Sequence, residues 1–237
     1  MEKQELLYEG KAKQVYKTED PNLIVLRFKD DANAYGGIKK AIIENKGIYN
    51  NKIMTILFKY LVAEGIPTHY VETLNDREML CKKVDILKFD VSVRNVVAGG
   101  MSKRFHIPEG TRLKKPVIEL GIRRGVTGNK LINDYHVVAL DLLKENELKY
   151  VYELTEKINT LLVDFFKKIN VDLVDYKLEF GKTADGDIIL ADELSPDTCR
   201  LWDTVTGTRL DIDRFRKDLG KVVEGYVEIL KRVEKLA

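Results

Sequence analysis

A two-lobed α+β fold is what this sequence predicts, and three observations carry it. Short segments with strand alternation and turn residues crowd the first hundred residues around one helix. Two long segments with apolar residues at helical spacing lie in the second half. Between those two lies a strand of alternating charged and apolar residues. Strands with one helix, followed by mixed strands and long helices, make an α+β chain and not a repeating βα array.

The elements follow in order. Residues 5–9 and 12–17 read as a hairpin around Gly10-Lys11, and 23–29 as a third strand after the Asp20-Pro21-Asn22 turn. Residues 48–64 read as a helix, with Ile53, Ile56, Leu57 and Leu61 on one face, closed by Gly65 and Pro67. Strands are expected at 69–74, 79–84 and 89–97, and a short helix after Gly99-Gly100. The Gly-rich, basic stretch 121–130 reads as a loop. Residues 147–169 are strongly amphipathic, marked by Leu148, Val151, Leu154, Ile158, Leu161, Phe165 and Ile169. A second long helix is expected over 213–235, marked by Phe215, Leu219, Val222, Tyr226, Ile229 and Val233. The lobe boundary is expected near 84–88, giving an N-terminal, mainly antiparallel β lobe (1–86) that binds nucleotide. The larger mixed lobe (87–237) then carries the metal and substrate site, and a cleft between lobes is the default place for a ligand.

Composition narrows the function. The chain has 237 residues, 44% hydrophobic and 33% charged, so it has material for a packed core and a wet surface. Its 40 basic and 38 acidic residues nearly balance at +2, which supplies no general field for nucleic acid or an anionic membrane. No apolar run approaches the length of a membrane span, and MEKQELLYEG has no apolar signal core. A cytoplasmic protein with no membrane or nucleic-acid partner is expected. Cys81 and Cys199 are far apart and read as free thiols.

The densest chemistry lies in VDLVDYKLEFGKTADGDIILADELSPDTCRLWD, residues 171–203. Asp175, Lys177 and Glu179 alternate with Val174, Tyr176, Leu178 and Phe180, which puts three charges on one face of a half-buried strand. Asp185-Gly186 as a two-residue turn, with 188–194 as the return strand, sets Glu179 opposite Asp192. Directly opposed carboxylates about 5 Å apart repel by roughly 3 kcal/mol at an effective dielectric near 20. A hard divalent cation with oxygen ligands relieves that repulsion; the plain alternative is a solvated surface hairpin.

Other motifs add to this. Lys11 and Lys13 share a face beside the Gly10 turn, an arrangement suited to a polyphosphate, though not with Walker A spacing; Lys-x-Lys is equally the mark of a solvated strand. Arg94, inside the apolar strand VSVRN, needs a partner: a ligand anion or an internal carboxylate. Gly99-Gly100-Met101-Ser102 opens either an anion-binding helix or an ordinary turn. His69, His106 and His136 have no metal spacing, no base is placed for Cys199, and Trp202 is expected to pack. Lysines for phosphates, Arg94 with Arg200, and the Glu179–Asp192 pair form the inventory for ATP-dependent activation of an anionic substrate.

With those residues on view, the chain resembles the phosphoribosylaminoimidazole-succinocarboxamide synthase (SAICAR synthetase) family along nearly its whole length. The carriers are LYEGKAKQVY at 7–16, KG-x-x-NN at 46–51, KKVDI at 82–86, VRNVVAG at 93–99, DYKLEFG at 175–181, LADELSPDTCRLWD at 190–203 and DRFRKDLG at 213–220. The resemblance implies an ATP-grasp-related, SAICAR-synthase-like fold. It also implies a carbon–nitrogen ligase of purine biosynthesis that joins L-aspartate to a carboxyaminoimidazole ribonucleotide, using ATP and magnesium, and a homodimer is expected. It implies that Gly10, Lys11, Ala12, Lys13, Val15, Lys82, Val84 and Ile86 bind ATP and that Glu179 and Asp192 hold the metal. Arg94, Gly100, Ser102 and Arg200 would bind the substrate phosphate, with Asp175, Lys177 and Asp197 around its imidazole and carboxylate as the catalytic group. Two departures stand out: Gly100 replaces a family serine, for which Ser102 or a backbone N–H would compensate, and the 121–130 loop lacks two acidic positions of the family pattern. The competing readings are a kinase-like phosphotransferase, which would not need the Arg94 and Arg200 pair, and an RNA surface at Lys103-Arg104 and Arg123-Arg124, which would need interleaved aromatics.

Overall fold

The structure, a computed structural model, describes residues 2–122 and 130–237. Strand β1 (Leu6–Glu9) turns at Gly10 into β2 (Lys13–Lys17), which pairs antiparallel with β3 (Leu23–Phe28). A hairpin follows that alternation does not single out, β4 (Asp31–Ala34) and β5 (Lys39–Ile42), joined through Gly36 and Gly37. Helix α1 (Lys46–Ala63) begins two residues before its expected start and buries Ile53, Met54, Leu57, Phe58 and Leu61. It packs on β3 and on β6 (Tyr70–Thr73), which pairs with β7 (Glu78–Lys82). The first sheet runs β1-β2-β3-β7-β6.

The second sheet is built around one long strand. After β8 (Asp85–Ile86) come β9 (Phe89–Val96), α2 (Gly99–Phe105), β10 (Arg112–Ile122), β11 (Lys130–Ile132), α3 (Asp134–Ala139) and α4 (Glu145–Lys167). Then follow β12 (Val171–Lys182), β13 (Ile188–Ala191), β14 (Cys199–Asp203), α5 (Asp213–Arg216) and α6 (Val222–Val233). The order is β11-β10-β9-β12-β13, with β14 and β8 also paired to β12. Helix α4 covers β12 with the stripe its sequence predicts, including Leu148, Val151, Leu154, Ile158 and Phe165. One apolar cluster runs from Leu26, Phe58 and Met79 through to Ile158, Phe166 and Phe180, so the two sheets share a core.

Four expectations change. Strand β12 is not half-buried: Tyr176 and Leu178 are buried on one face, Asp175 and Glu179 on the other. Its turn with β13 holds three residues, 184–186, closed by Thr183 N–H to Asp187 and Gly186 N–H to Thr183, with Gly186 in the left-handed region at φ 89°. Glu179 therefore pairs with Ala191, not Asp192, because one extra turn residue slips the register by one. The long C-terminal helix divides into α5 and α6, since Asp218, Gly220 and Lys221 all take positive φ; Leu219 is left 46% exposed instead of joining the buried stripe. Residues 123–129 of the expected 121–130 loop, Arg123 and Arg124 included, lie outside the described residues, while its two ends are in strands β10 and β11.

Candidate active site

Two cavities meet at Lys11, Ala12 and Lys177. The first, about 580 Å³, lies under the β1–β2 turn. Gly10, Lys11, Ala12, Lys13, Val15, Val84 and Ile86 all line it, as expected for the nucleotide side. Lys82 does not; it lines a neighbouring cavity, and Lys83 reaches both. The 84–86 segment lies tight against β12 because Gly181 has no side chain. A Cβ there would come within 2.5 Å of Val84 Cγ2, and Gly181 pairs with Ile86.

Both expected metal ligands line this cavity. Asp192 follows the last residue of β13 at φ 57°, a left-handed conformation that aspartate and asparagine tolerate better than most residues. It accepts from Lys13 Nζ at 2.5 Å, and Glu193 lies 3.2 Å from the same ammonium. Burial opposes the charge on Lys13, but Asp192 and Glu193 outweigh it and its pKa is raised. Lys13 is thus a counter-charge to carboxylates as well as a candidate phosphate ligand. Glu179, buried, accepts from Lys177 Nζ at 2.7 Å, with Asp90 3.6 Å from that nitrogen. Among the described residues no three His, Cys, Asp or Glu side chains cluster as a metal cage. Two hard carboxylates beside a polyphosphate cavity do fit magnesium, which keeps water and takes phosphate oxygens to complete its shell.

The second cavity, about 450 Å³, holds the anion side. In the sheet register Asp175 lies beside Arg94 on β9 and Arg200 on β14. Arg94 Nη1 donates to Asp175 at 2.8 Å and Arg200 Nη1 at 2.7 Å. Arg94 Nε donates to Glu119 at 2.6 Å, and Arg200 Nε to Asp213 at 2.9 Å. Of the two alternatives left open for Arg94, the structure shows the internal carboxylate partners, and the residue also lines the cavity. Asp175, shared by Arg94 and Arg200, fixes the two guanidinium groups side by side at the wall of this cavity. Gly99 gives Arg200 its room, since a Cβ there would stand 2.6 Å from Nη2.

Lys177 and Asp197 also line this cavity, but Gly100 and Ser102 do not. Ser102 donates its hydroxyl to the Ile107 carbonyl at 2.7 Å and so is committed to the α2 turn. Sequence reasoning also passes over several residues. Asp31 and Asn33 of β4, Glu193 and Arg216 line the second cavity. Lys46, Asn50 and Tyr226 hold Asp197 from behind, and the signal for two of them is the KG-x-x-NN motif, quoted but given no role. His69 borders the first cavity fully buried, its pKa pushed down to about 4 by that burial, and stays neutral. Cys81 and Cys199 are buried free thiols whose pKa burial pushes far up, so neither is a nucleophile.

Two cavities that share Lys11, Ala12 and Lys177, one rimmed by lysines and one walled by arginines, have the layout of an enzyme site that takes two ligands side by side. The SAICAR synthetase family model matches residues 6–233. A phosphoribosylaminoimidazole-succinocarboxamide synthase of Clostridium botulinum is 54% identical, covering 99% of this chain and 100% of its own. The crystal structure of the synthase from Ehrlichia chaffeensis superposes with a TM-score of 0.95 at 43% identity, over 97% of this chain and 98% of that one. A SAICAR synthetase in complex with ADP superposes with a TM-score of 0.92, also at 43% identity, over 95% and 96%. The chain belongs to the SAICAR synthetase family and is a carbon–nitrogen ligase.

Proposed function

We propose that this enzyme ligates L-aspartate to the carboxylate of 5-amino-1-(5-phosphoribosyl)imidazole-4-carboxylate, using ATP and giving SAICAR, ADP and phosphate, in de novo purine biosynthesis. The observation that carries the reading is the meeting of a lysine-rimmed cavity with an arginine-walled one at Lys177. Residues 1–86 bring the nucleotide turn and hinge; residues 87–237 bring the arginine row and the carboxylates. The enzyme works as a cytoplasmic homodimer on small molecules alone. No helix among the described residues is long and apolar enough to cross a membrane.

The chemistry follows from what a carboxylate lacks. Its leaving group toward an amine would be oxide, so it must first be activated. Transfer of the γ-phosphoryl group of ATP onto a carboxylate oxygen gives an acyl phosphate with a good leaving group. Lys11 and Lys13 offset the charge on the transferring group. Glu179 and Asp192 would hold magnesium, which when bound polarises phosphoryl oxygens. Lys177 orients the substrate carboxylate at the junction of the cavities. Arg94 and Arg200, fixed by Asp175, hold the ribonucleotide by its phosphate. The amine of L-aspartate then attacks the acyl carbon and phosphate departs.

Omission of substrates tests the reading. Sustained, multiple-turnover ADP release by the purified chain is expected only when ATP, the ribonucleotide and L-aspartate are all present. Equal ADP release without the ribonucleotide, or with another amine acceptor in place of L-aspartate, would point to a different reaction.

A further inference from the structure

Lys46 opens α1 with its side chain 0% exposed, and the chemistry above does not use it. A fully buried lysine is rare unless it is paired. Its ammonium lies 2.5 Å from Asp197 Oδ2. Asn50, one turn further on, donates through Nδ2 to the same oxygen at 2.9 Å and to Glu193 Oε1 at 3.1 Å. Two carboxylate acceptors fix which end of that amide is nitrogen. From the C-terminal helix α6, the buried Tyr226 donates its hydroxyl to Asp197 Oδ1 at 2.5 Å. Glu193 in turn lies 3.2 Å from Lys13. A continuous polar line therefore runs from Tyr226 through Asp197, Asn50 and Glu193 to Lys13, from the last helix past the substrate cavity to the nucleotide cavity.

We propose that Lys46 and Tyr226 are positioning residues for the ligation, holding the Asp197 carboxylate in one orientation at the wall of the substrate cavity. The proposal rests on the ligase reading given above. Both oxygens of Asp197 are engaged from the protein side, one by Tyr226 and one by Lys46 with Asn50, which blocks rotation of the carboxylate. Burial opposes the Asp197 charge, but Lys46, Tyr226 and Arg216 together outweigh it, so that carboxyl is held below its ordinary range. A buried ion pair is an inefficient stabiliser compared with apolar packing of the same volume. One member of this pair, Asp197, itself lines the substrate cavity, where a fixed charge has a use that stability alone would not require.

Steady-state kinetics on the full chain, with equilibrium binding of ADP alongside, test it. Tyr226→Phe keeps the ring and removes one hydroxyl; KM for the ribonucleotide should rise about tenfold, the effect of one lost hydrogen bond to a charged group. The Kd for ADP should stay within about twofold, since neither Tyr226 nor Asp197 lines that cavity. Lys46→Met should raise the same KM further. In an Asp197→Asn background Tyr226→Phe should add less than about twofold, because it acts through that carboxylate. An unmoved KM in Tyr226→Phe, or full additivity with Asp197→Asn, overturns the proposal. If Lys46→Met does not fold, the Tyr226 variants decide alone, because their change is small. A wild-type chain that forms no product sinks the ligase reading and this proposal with it; an active wild type with unmoved variants sinks this proposal only.

Discussion

Asp192→Asn is expected to lose ligation by at least about a hundredfold in kcat, close to 3 kcal/mol of transition-state stabilisation, while the protein stays folded. The substitution removes charge and little else. Asparagine tolerates the left-handed backbone that Asp192 adopts at φ 57°, so the turn out of β13 should survive. Glu179→Gln should behave alike, although Glu179 is buried and its amide must find new partners among groups now facing a carboxylate. Circular dichroism and a thermal melt establish folding, and a magnesium titration of kcat reads the function. Near-normal turnover by either variant at low magnesium would overturn the assignment of the pair as the metal site.

Lys13→Met should damage the enzyme in two separable ways. Lys13 lies against both Asp192 and Glu193, so its loss removes a cation that both carboxylates touch. Breaking a buried pair costs several kcal/mol; with Asp192 30% exposed, solvent screening brings the expected loss of stability to about 2 kcal/mol. The phosphates lose a cation as well, so the ATP concentration for half-maximal rate should rise and kcat fall. Magnesium should then raise the melting temperature of Lys13→Met more than that of the wild type, because a cation restores the missing charge. An unchanged ATP titration together with an unchanged rate would show that Lys13 serves the fold alone.

The extent to which the site is legible in the sequence follows from how local each feature is. Alternation along DYKLEFG is a local signal, and it places Asp175, Lys177 and Glu179 on one face of β12 as the structure has them. The opposition of Glu179 and Asp192 is not local: it depends on turn length, and a three-residue turn in place of a two-residue one moves the partner to Ala191. The two carboxylates still reach the same cavity, because Asp192 leaves the strand with a left-handed kink that no residue pattern announces. The sequence groups Arg94 with Arg200 as basic residues, but that Asp175 joins them depends on β12 pairing with both β9 and β14, which no local pattern announces. Lys46 is the hardest case: a lysine at the start of a helix ordinarily points to water. Only the descent of α6 and the 195–199 turn onto α1 encloses it. The periodicity that joins Phe215 to Tyr226 in one apparent helix is real in the numbers but broken in space by Asp218-Leu219-Gly220-Lys221.

In the proposed reaction the substrate carboxylate is activated by phosphoryl transfer before the amine attacks. The direct measurement is isotopic. The ribonucleotide is prepared with ¹⁸O in its carboxylate and turned over with ATP and L-aspartate, and the released phosphate is analysed by mass. If an acyl phosphate forms, the carboxylate oxygen that accepted the phosphoryl group leaves with it, and phosphate carries one ¹⁸O atom per turnover. Phosphate free of label, with SAICAR still formed, would contradict carboxylate activation and place the phosphoryl transfer elsewhere.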